Sequence, residues 1–218
     1  MKEEKKTVAD FEKISELMQK GKADEVKQLC AEALEEGAKP KEVLEKGLLS
    51  AMNIVGVKFK NNEVFVPEVL IAARAMNFGL EVLKPAMVDG DVEEIGKVVI
   101  GTVKGDLHDI GKNLVKIMFE GKGLTVIDLG VDVSAEKFVE TAANEGAKII
   151  ALSALLTTTM TQMEAVVKAA VDAGLKDKVS IMVGGAPVTQ KFCESIGADI
   201  YSADAETASA RALEVFKK

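Results

Sequence analysis

Residues 98–111 read VVIGTVKGDLHDIG, and this stretch decides the fold. Residues 98–103 form a near-continuous apolar run of strand length, rich in β-branched side chains. Gly105 and Gly111 bracket the polar loop that follows, and residues 111–121 then show helical spacing. A strand that is apolar on both faces is covered on both faces. Passing from it through a glycine-bearing loop into a helix begins a parallel βα unit.

The same grammar repeats downstream. Strands are expected at 124–129, 149–153, 179–183 and, briefly, 200–201. Helices are expected at 135–145, 159–173, 190–196 and 205–216. Five strands fit the flavodoxin-like (Rossmann-like) order 2-1-3-4-5 better than a six-strand dinucleotide fold, although periodicity alone leaves the order open. Ligands of such sheets sit beyond the carboxyl ends of the strands. The loops there are GDLHDIG, GVDVS, SALLTTT and GGAPVT.

Upstream, the pattern is helical only. Phe11, Ile14, Leu17 and Met18 space as one helix that ends near Gly21, and Val26, Cys30 and Ala33 as a second closed by Gly37. Pro40 opens a third helix carrying Val43, Leu48, Met52 and Val55; Pro67 opens a fourth carrying Val69, Ala73, Met76 and Leu83. Four short helices predict a small bundle. Residues 84–96, KPAMVDGDVEEIG, break the periodicity with Pro85, Gly90 and four acidic residues, and read as a linker. The expected organisation is a helical domain at 1–88 and an α/β domain at 89–218.

With 28 basic and 35 acidic residues, the net charge is -7, which argues against nucleic acid or an anionic membrane as partner. Trp is absent and Tyr201 is the only tyrosine, so a base-stacking platform has little to work with. No apolar run approaches the length of a membrane span, and the charged start MKEEKKTVADFEKI lacks a signal-peptide core. A soluble, cytoplasmic protein is expected. Cys30 and Cys193 stand far apart, in no zinc, redox or disulfide pattern, and read as two buried thiols in a reducing compartment.

His108 is the only histidine, and Asp106 and Asp109 flank it. A carboxylate can accept the proton of one imidazole nitrogen, leaving the other as a metal ligand of raised basicity. Zinc normally requires three or four protein ligands. A single ligand is enough only when the metal arrives in its own macrocycle, a haem or a corrinoid. The CxxCH signature of covalent haem is missing. A phosphate-binding reading of the same loop fails on pattern, because it matches neither GxGxxG nor GxxxxGK[ST]. It also fails on charge, because Asp106 and Asp109 would repel the anion. Lys112 and Asn113 are then expected at the surface or supporting the loop.

Three motifs now stand at strand ends in register: Asp106-Leu107-His108-Asp109-Ile110-Gly111, Ser153-Ala154-Leu155 and Gly184-Gly185. They correspond to DxHxxG, SxL and GG. Through them, and over nearly its whole length, the chain resembles the methyltransferase-associated corrinoid proteins, the methyl carriers for methylamine, methanol or glycine betaine. It is also similar to the cobalamin module of methionine synthase.

The resemblance implies a helical cap followed by a cobalamin-binding domain, and a cobalamin or related corrinoid (B12, as methylcobalamin or hydroxocobalamin) as cofactor. It makes His108 the lower ligand of cobalt, displacing dimethylbenzimidazole, with Asp106 bonded to it. Thr159, where methionine synthase has serine, would complete the relay, and Asp109, Ile110 and Gly111 complete the motif against the cofactor. Ser153, Leu155 and Thr157 would wall the channel for the nucleotide tail, with Gly184 and Gly185 letting that tail pass. Phe59, Val66 and Val69 of the cap would cover the methyl group.

In this family a carrier accepts a methyl group on Co(I) from a substrate-specific methyltransferase. It presents methyl-Co(III) to a second methyltransferase acting on tetrahydrofolate or coenzyme M, and a reductive activation protein serves as a further partner. The carrier is a non-autonomous component without a complete active site of its own. A cobalamin-based sensor or a mutase subunit shares parts of the pattern. The sensor would add an output domain; the mutase would need a separate catalytic barrel and usually lacks the cap.

Overall fold

Asp10 starts the first helix by accepting the Lys13 N–H at 2.8 Å, and α1 runs Phe11–Gln19. The structure is a computed structural model that describes residues 10–87 and 95–217. It divides into two compact units, Met1–Glu93 and Glu94–Lys218. The boundary expected between residues 88 and 89 lies outside the described residues.

In the first unit, α2 (Ala23–Glu35) lies along α5 (Val66–Ala86). Between them in sequence is a rod that changes pitch: α3 (Pro40–Glu42), a π-helical segment (Val43–Leu49) and α4 (Ser50–Lys60). Its junctions keep helical backbone angles. Apolar spacing predicts a plain helix here, because it reports which side is buried and not which carbonyl each N–H reaches.

Pro67 sits in the first turn of α5, where a missing N–H costs nothing, and Glu68 accepts the Phe65 N–H at 3.0 Å. α5 continues through Lys84, Pro85 and Ala86, so the linker expected from residue 84 begins too early. A proline in the last turn removes one hydrogen bond, and the burial of Leu83 just before it holds the turn. Ile14, Met18, Cys30, Leu48, Met52 and Met76 are almost wholly buried in this half of the chain, and burial pushes the Cys30 thiol up to about 11.

The second unit is a parallel sheet of β1 (Lys97–Thr102), β2 (Thr125–Asp128), β3 (Ile149–Ser153), β4 (Ser180–Gly184) and β5 (Ile200–Tyr201). Their order is 2-1-3-4-5, as in the flavodoxin-like pattern. The helices are α6 (Ile110–Gly121), α7 (Ala135–Glu145), α8 (Thr161–Asp172), α9 (Gln190–Ser195) and α10 (Ala205–Phe216). Alternate strand residues point to opposite faces. Val99, Ile150 and Ile181 pack with Phe138 and Met163 of α7 and α8. Val98, Ile100, Ile149 and Met182 pack with Phe119 and Ala212 of α6 and α10. Burial on both sides is why the strands read as continuous apolar runs. Among the described residues, no helix is long and apolar enough to cross a membrane.

Register positions the site. Thr102 pairs with Ser153, and Ser153 with Gly184, so β1, β3 and β4 end level. The chain leaves β1 toward β2 on one side and returns as β3 on the other. The loops after β1 and β3 therefore part at a switch point, where a crevice opens.

Gly101 marks how tightly β1 packs: a Cβ there would lie 2.7 Å from the Phe138 ring. Gly101→Ala is expected to destabilise the protein by about 1–3 kcal/mol through overpacking. Urea unfolding checks this as a lower midpoint at unchanged slope; an unchanged midpoint would mean that the Phe138 ring gives way freely.

Candidate functional site

At the end of β1 the chain turns through Gly105, whose φ of 80° suits glycine, and buries the next side chain completely. That side chain is Asp106, a carboxylate with no solvent contact. Its Oδ1 accepts the His108 N–H at 3.1 Å and lies 2.7 Å from His108 Nδ1. Its Oδ2 accepts the N–H groups of Leu155 at 2.8 Å and Leu156 at 3.2 Å. The Thr159 hydroxyl has Asp106 Oδ2 at 2.8 Å and the Leu156 carbonyl at 2.9 Å within reach of its single proton.

Burial alone would raise the Asp106 carboxyl. The N–H groups of Leu155 and His108, the His108 ring and the Thr159 hydroxyl together hold it well below the usual carboxylate range. An ionised carboxylate only accepts, so Nδ1 is the donor, and in the neutral ring Nε2 is the nitrogen with the lone pair. The His108 side chain is 51% exposed. The Thr102 hydroxyl donates to its carbonyl at 2.9 Å, which fixes the backbone behind the ring.

Around this imidazole the surface is apolar. Leu107 and Ile110 are 71% and 78% exposed, and Leu155 and Leu156 stand exposed on the loop after β3. Large apolar side chains held in solvent beside a poised nitrogen are the mark of a covered ligand site. Asp109 precedes α6 and accepts from Asn113 Nδ2 at 3.0 Å; Gly111 follows in open space. Ser153 ends β3, and Thr157 is exposed on the same loop as Leu155. The loops thus bring Asp106, His108, Leu155 and Thr159 together directly.

Gly184 and Gly185 end β4 beside them. The sequence reading gives these glycines to a passing ligand, and the structure supplies a nearer reason for one. Gly185 has φ 130°, and a Cβ there would fall 1.9 Å from the Ala154 carbonyl. A Cβ on Gly184 would meet the Ser202 carbonyl at 3.2 Å. The Ser202 hydroxyl is buried and, among the described residues, has no hydrogen-bond partner. In the helical unit Val69 is fully buried, while Phe59 and Val66 are half-buried.

Several supporting residues carry no local sequence signal. Of the two places expected for Lys112, surface or loop support, it takes the second: it is buried, with Nζ 2.7 and 2.8 Å from the two Asp128 oxygens and 2.8 Å from Asn113 Oδ1. Asp128 also accepts the Gly130 N–H at 2.9 Å. Asp132, in the same loop after β2, accepts the Gly105 N–H at 2.7 Å. These pairs join residues 16 and 27 positions apart, and only the parallel β1–β2 pairing makes them neighbours.

Among the described residues, no three His, Cys, Asp or Glu side chains gather as a metal cage. The donor set is one imidazole with a fixed tautomer in an apolar seat. That set fits a metal whose other ligands come with it, in a flat macrocycle.

Comparison with known proteins agrees with this class. Two family models, each described as a B12 binding domain, match residues 96–213 and 10–84. The dimethylamine corrinoid protein of Methanosarcina barkeri is 45% identical over 177 residues, 81% of this chain and 83% of that protein. Trimethylamine corrinoid protein 1 of Methanosarcina acetivorans is 46% identical over 180 residues, 82% and 83% of the two chains. The crystal structure of the methanol:cobalamin methyltransferase complex from Methanosarcina barkeri superposes with a TM-score of 0.85 at 30% identity, covering 94% of this chain and 78% of that one. The chain belongs to the B12-binding corrinoid protein family.

The Lys112–Asp128 pair gives a stability test. Burial would raise the Asp128 carboxyl, but Lys112 and the Gly130 N–H hold it below its ordinary value. Folding therefore favours the charged form. Its contribution is complete above the unfolded value of about 4 and is lost as pH falls through the lower folded value. Asp128→Asn leaves the Lys112 ammonium buried without its counter-charge and is expected to cost about 3 kcal/mol at pH 7. In urea titrations that gap should narrow below about pH 4, as the wild-type carboxyl takes up its proton. A gap constant from pH 7 to 3 would show that the pair does not carry it.

Proposed function

We propose that this protein carries methyl groups on a bound corrinoid, and that His108 Nε2 would hold its cobalt. The observation that carries the assignment is the 2.7 Å contact between His108 Nδ1 and the buried Asp106 carboxylate. It supports a proton on Nδ1 and a ring held against rotation, with Nε2 left facing outward as the metal-binding nitrogen. When bound, the cobalt corrinoid supplies the strong nucleophile that takes up the methyl group and later releases it.

The chain's own residues set the frame for that chemistry. Leu107, Ile110 and Leu155 give the macrocycle an apolar seat whose cover removes exposed hydrophobic surface from water. Ser153, Thr157, Gly184 and Gly185, at the level ends of β3 and β4, receive the nucleotide tail. Asp109 and Gly111 shape the entry to α6, where they would line the corrinoid's seat. The helical unit carries Phe59, Val66 and Val69, apolar side chains of the kind that keep water from a reduced metal or a bound methyl.

The protein works between a substrate-specific methyltransferase, which loads the methyl group, and a second methyltransferase, which removes it to tetrahydrofolate or coenzyme M. A reductive activation protein is a further partner of the same system. The names of the dimethylamine and trimethylamine relatives favour a methylated amine as the donor. Two buried free thiols, Cys30 and Cys193, suit a cytoplasmic setting.

The assignment is tested by adding hydroxocobalamin under anaerobic conditions and recording the visible spectrum of the wild type and His108→Ala. The wild type is expected to take up corrinoid with histidine replacing its benzimidazole base. His108→Ala should retain uptake through the seat and tail loops but lose the histidine-ligated bands. No stable uptake by the folded wild type would refute the assignment. Asp106→Ala is expected to fall between the two, with histidine ligation weakened about tenfold or more, as for loss of a hydrogen bond to a charged group.

A further inference from the structure

Asp132 is a non-glycine residue held at φ 54°, a left-handed conformation that aspartate tolerates better than most side chains. It lies in the loop after β2 and grips the loop after β1 twice. Its Oδ1 accepts the Gly105 N–H at 2.7 Å, and its own N–H donates to the Asp106 carbonyl at 3.1 Å. The two contacts bracket one short stretch of backbone, from the Gly105 nitrogen to the Asp106 carbonyl. The orientation of that stretch sets the direction in which the Asp106 side chain leaves the main chain, and Asp106 in turn holds the His108 ring.

The fold does not require this grip in order to join the two loops. Val103 already bridges Val133, the Val133 N–H donates to the Thr102 carbonyl at 3.0 Å, and the Thr102 N–H donates to Gly130 at 2.9 Å. The loops are thus laced by main-chain bonds just before the point where Asp132 acts. What its side chain adds is a constraint on the residues that aim the imidazole, at the cost of a strained backbone angle. Strain retained at a functional loop is a reason to look for its use.

We propose that Asp132 is a positioning residue for the axial ligand: it locks the Gly105–Asp106 backbone and thereby the angle at which His108 meets the metal. The inference rests on the reading of His108 as the ligand of a bound corrinoid. Asp132 touches neither the imidazole nor the metal and acts through Asp106.

Two variants separate this role from a merely structural one. Asp132→Gly accepts the left-handed backbone without strain and removes only the side-chain acceptor. Asp132→Asn keeps an oxygen that can accept the Gly105 N–H and also tolerates the angle. Each full-length protein is loaded with hydroxocobalamin at one pH, and uptake, melting temperature of the apoprotein and the visible spectrum are recorded. Reduction to cobalt(II) then allows electron paramagnetic resonance, in which an axial nitrogen splits the cobalt lines.

Asp132→Gly is expected to melt near the wild-type temperature and to take up corrinoid. Its ratio of histidine-ligated to histidine-free cofactor should fall about tenfold, as for loss of one hydrogen bond to a charged acceptor. Asp132→Asn should recover most of that ligation. Wild-type ligation in Asp132→Gly overturns the proposal, as does an Asp132→Asn protein equally impaired. Failure of Asp132→Gly to fold also overturns it, because the role would then belong to the fold. If instead the wild type and His108→Ala give the same spectrum, the reading beneath fails, and the inference fails with it.

Discussion

A carboxylate with no solvent contact is among the most expensive groups a protein can bury, and everything at the end of this sheet is arranged to satisfy one. Asp106 has five donors within reach: the N–H groups of His108, Leu155 and Leu156, the His108 ring and the Thr159 hydroxyl. Two of the three residues that supply main-chain N–H groups come from the loop after β3, about 50 positions along the chain. They can reach Asp106 only because β3 lies against β1. A different strand order would leave the charge unpaired, at a cost of several kcal/mol. The topology and the site are therefore one constraint: the switch point makes the crevice and also supplies the amides that let a carboxylate sit in it.

The rim of that crevice shows the opposite economy. Folding alone would bury Leu107 and Ile110, yet they stand largely in solvent on either side of His108. Exposed apolar area forgoes about 25 cal/mol for each Å² left in water, so the fold gives up stability here that a flat apolar ligand can return. Gly185 works in the other direction. Its backbone lies so close to the Ala154 carbonyl that no side chain fits, and this draws the loops after β3 and β4 together. Tight packing between loops and an uncovered apolar edge beside them are how a preformed site differs from an unfinished core.

The sheet was legible in the sequence because burial on both faces writes itself as uninterrupted apolar runs. The loops were legible because glycine and proline punctuate them. His108 stood out as the only histidine, between carboxylates, at a strand end. What escaped was set by distance along the chain. Nothing near Lys112 announces Asp128, and nothing near Gly105 announces Asp132, because strand pairing alone makes them neighbours. The π-helical turns at Val43–Leu49 escaped because a periodicity of apolar residues does not record the hydrogen-bond ladder. Pro85 was read as an interruption, although its place in the last turn of α5 makes it a terminus. The role assigned to Gly185 was drawn from a ligand, whereas the nearer demand came from the protein's own backbone.

The sharing of Asp106 also bears on how the His108 ring is held. A carboxylate bonded to an imidazole alone would concentrate its charge on that one partner and could turn with it. Here the same two oxygens also serve three amides and have a threonine hydroxyl within reach. Oδ1 holds His108 through both its ring and its N–H, while Oδ2 faces the loop after β3. Each added donor takes part of the negative charge and holds the carboxylate in place. The carboxylate is therefore a fixed anchor that the ring shares with the loop after β3. Because the added donors are mostly backbone amides, the anchor is written into the geometry of the β1 and β3 loops more than into any single side chain.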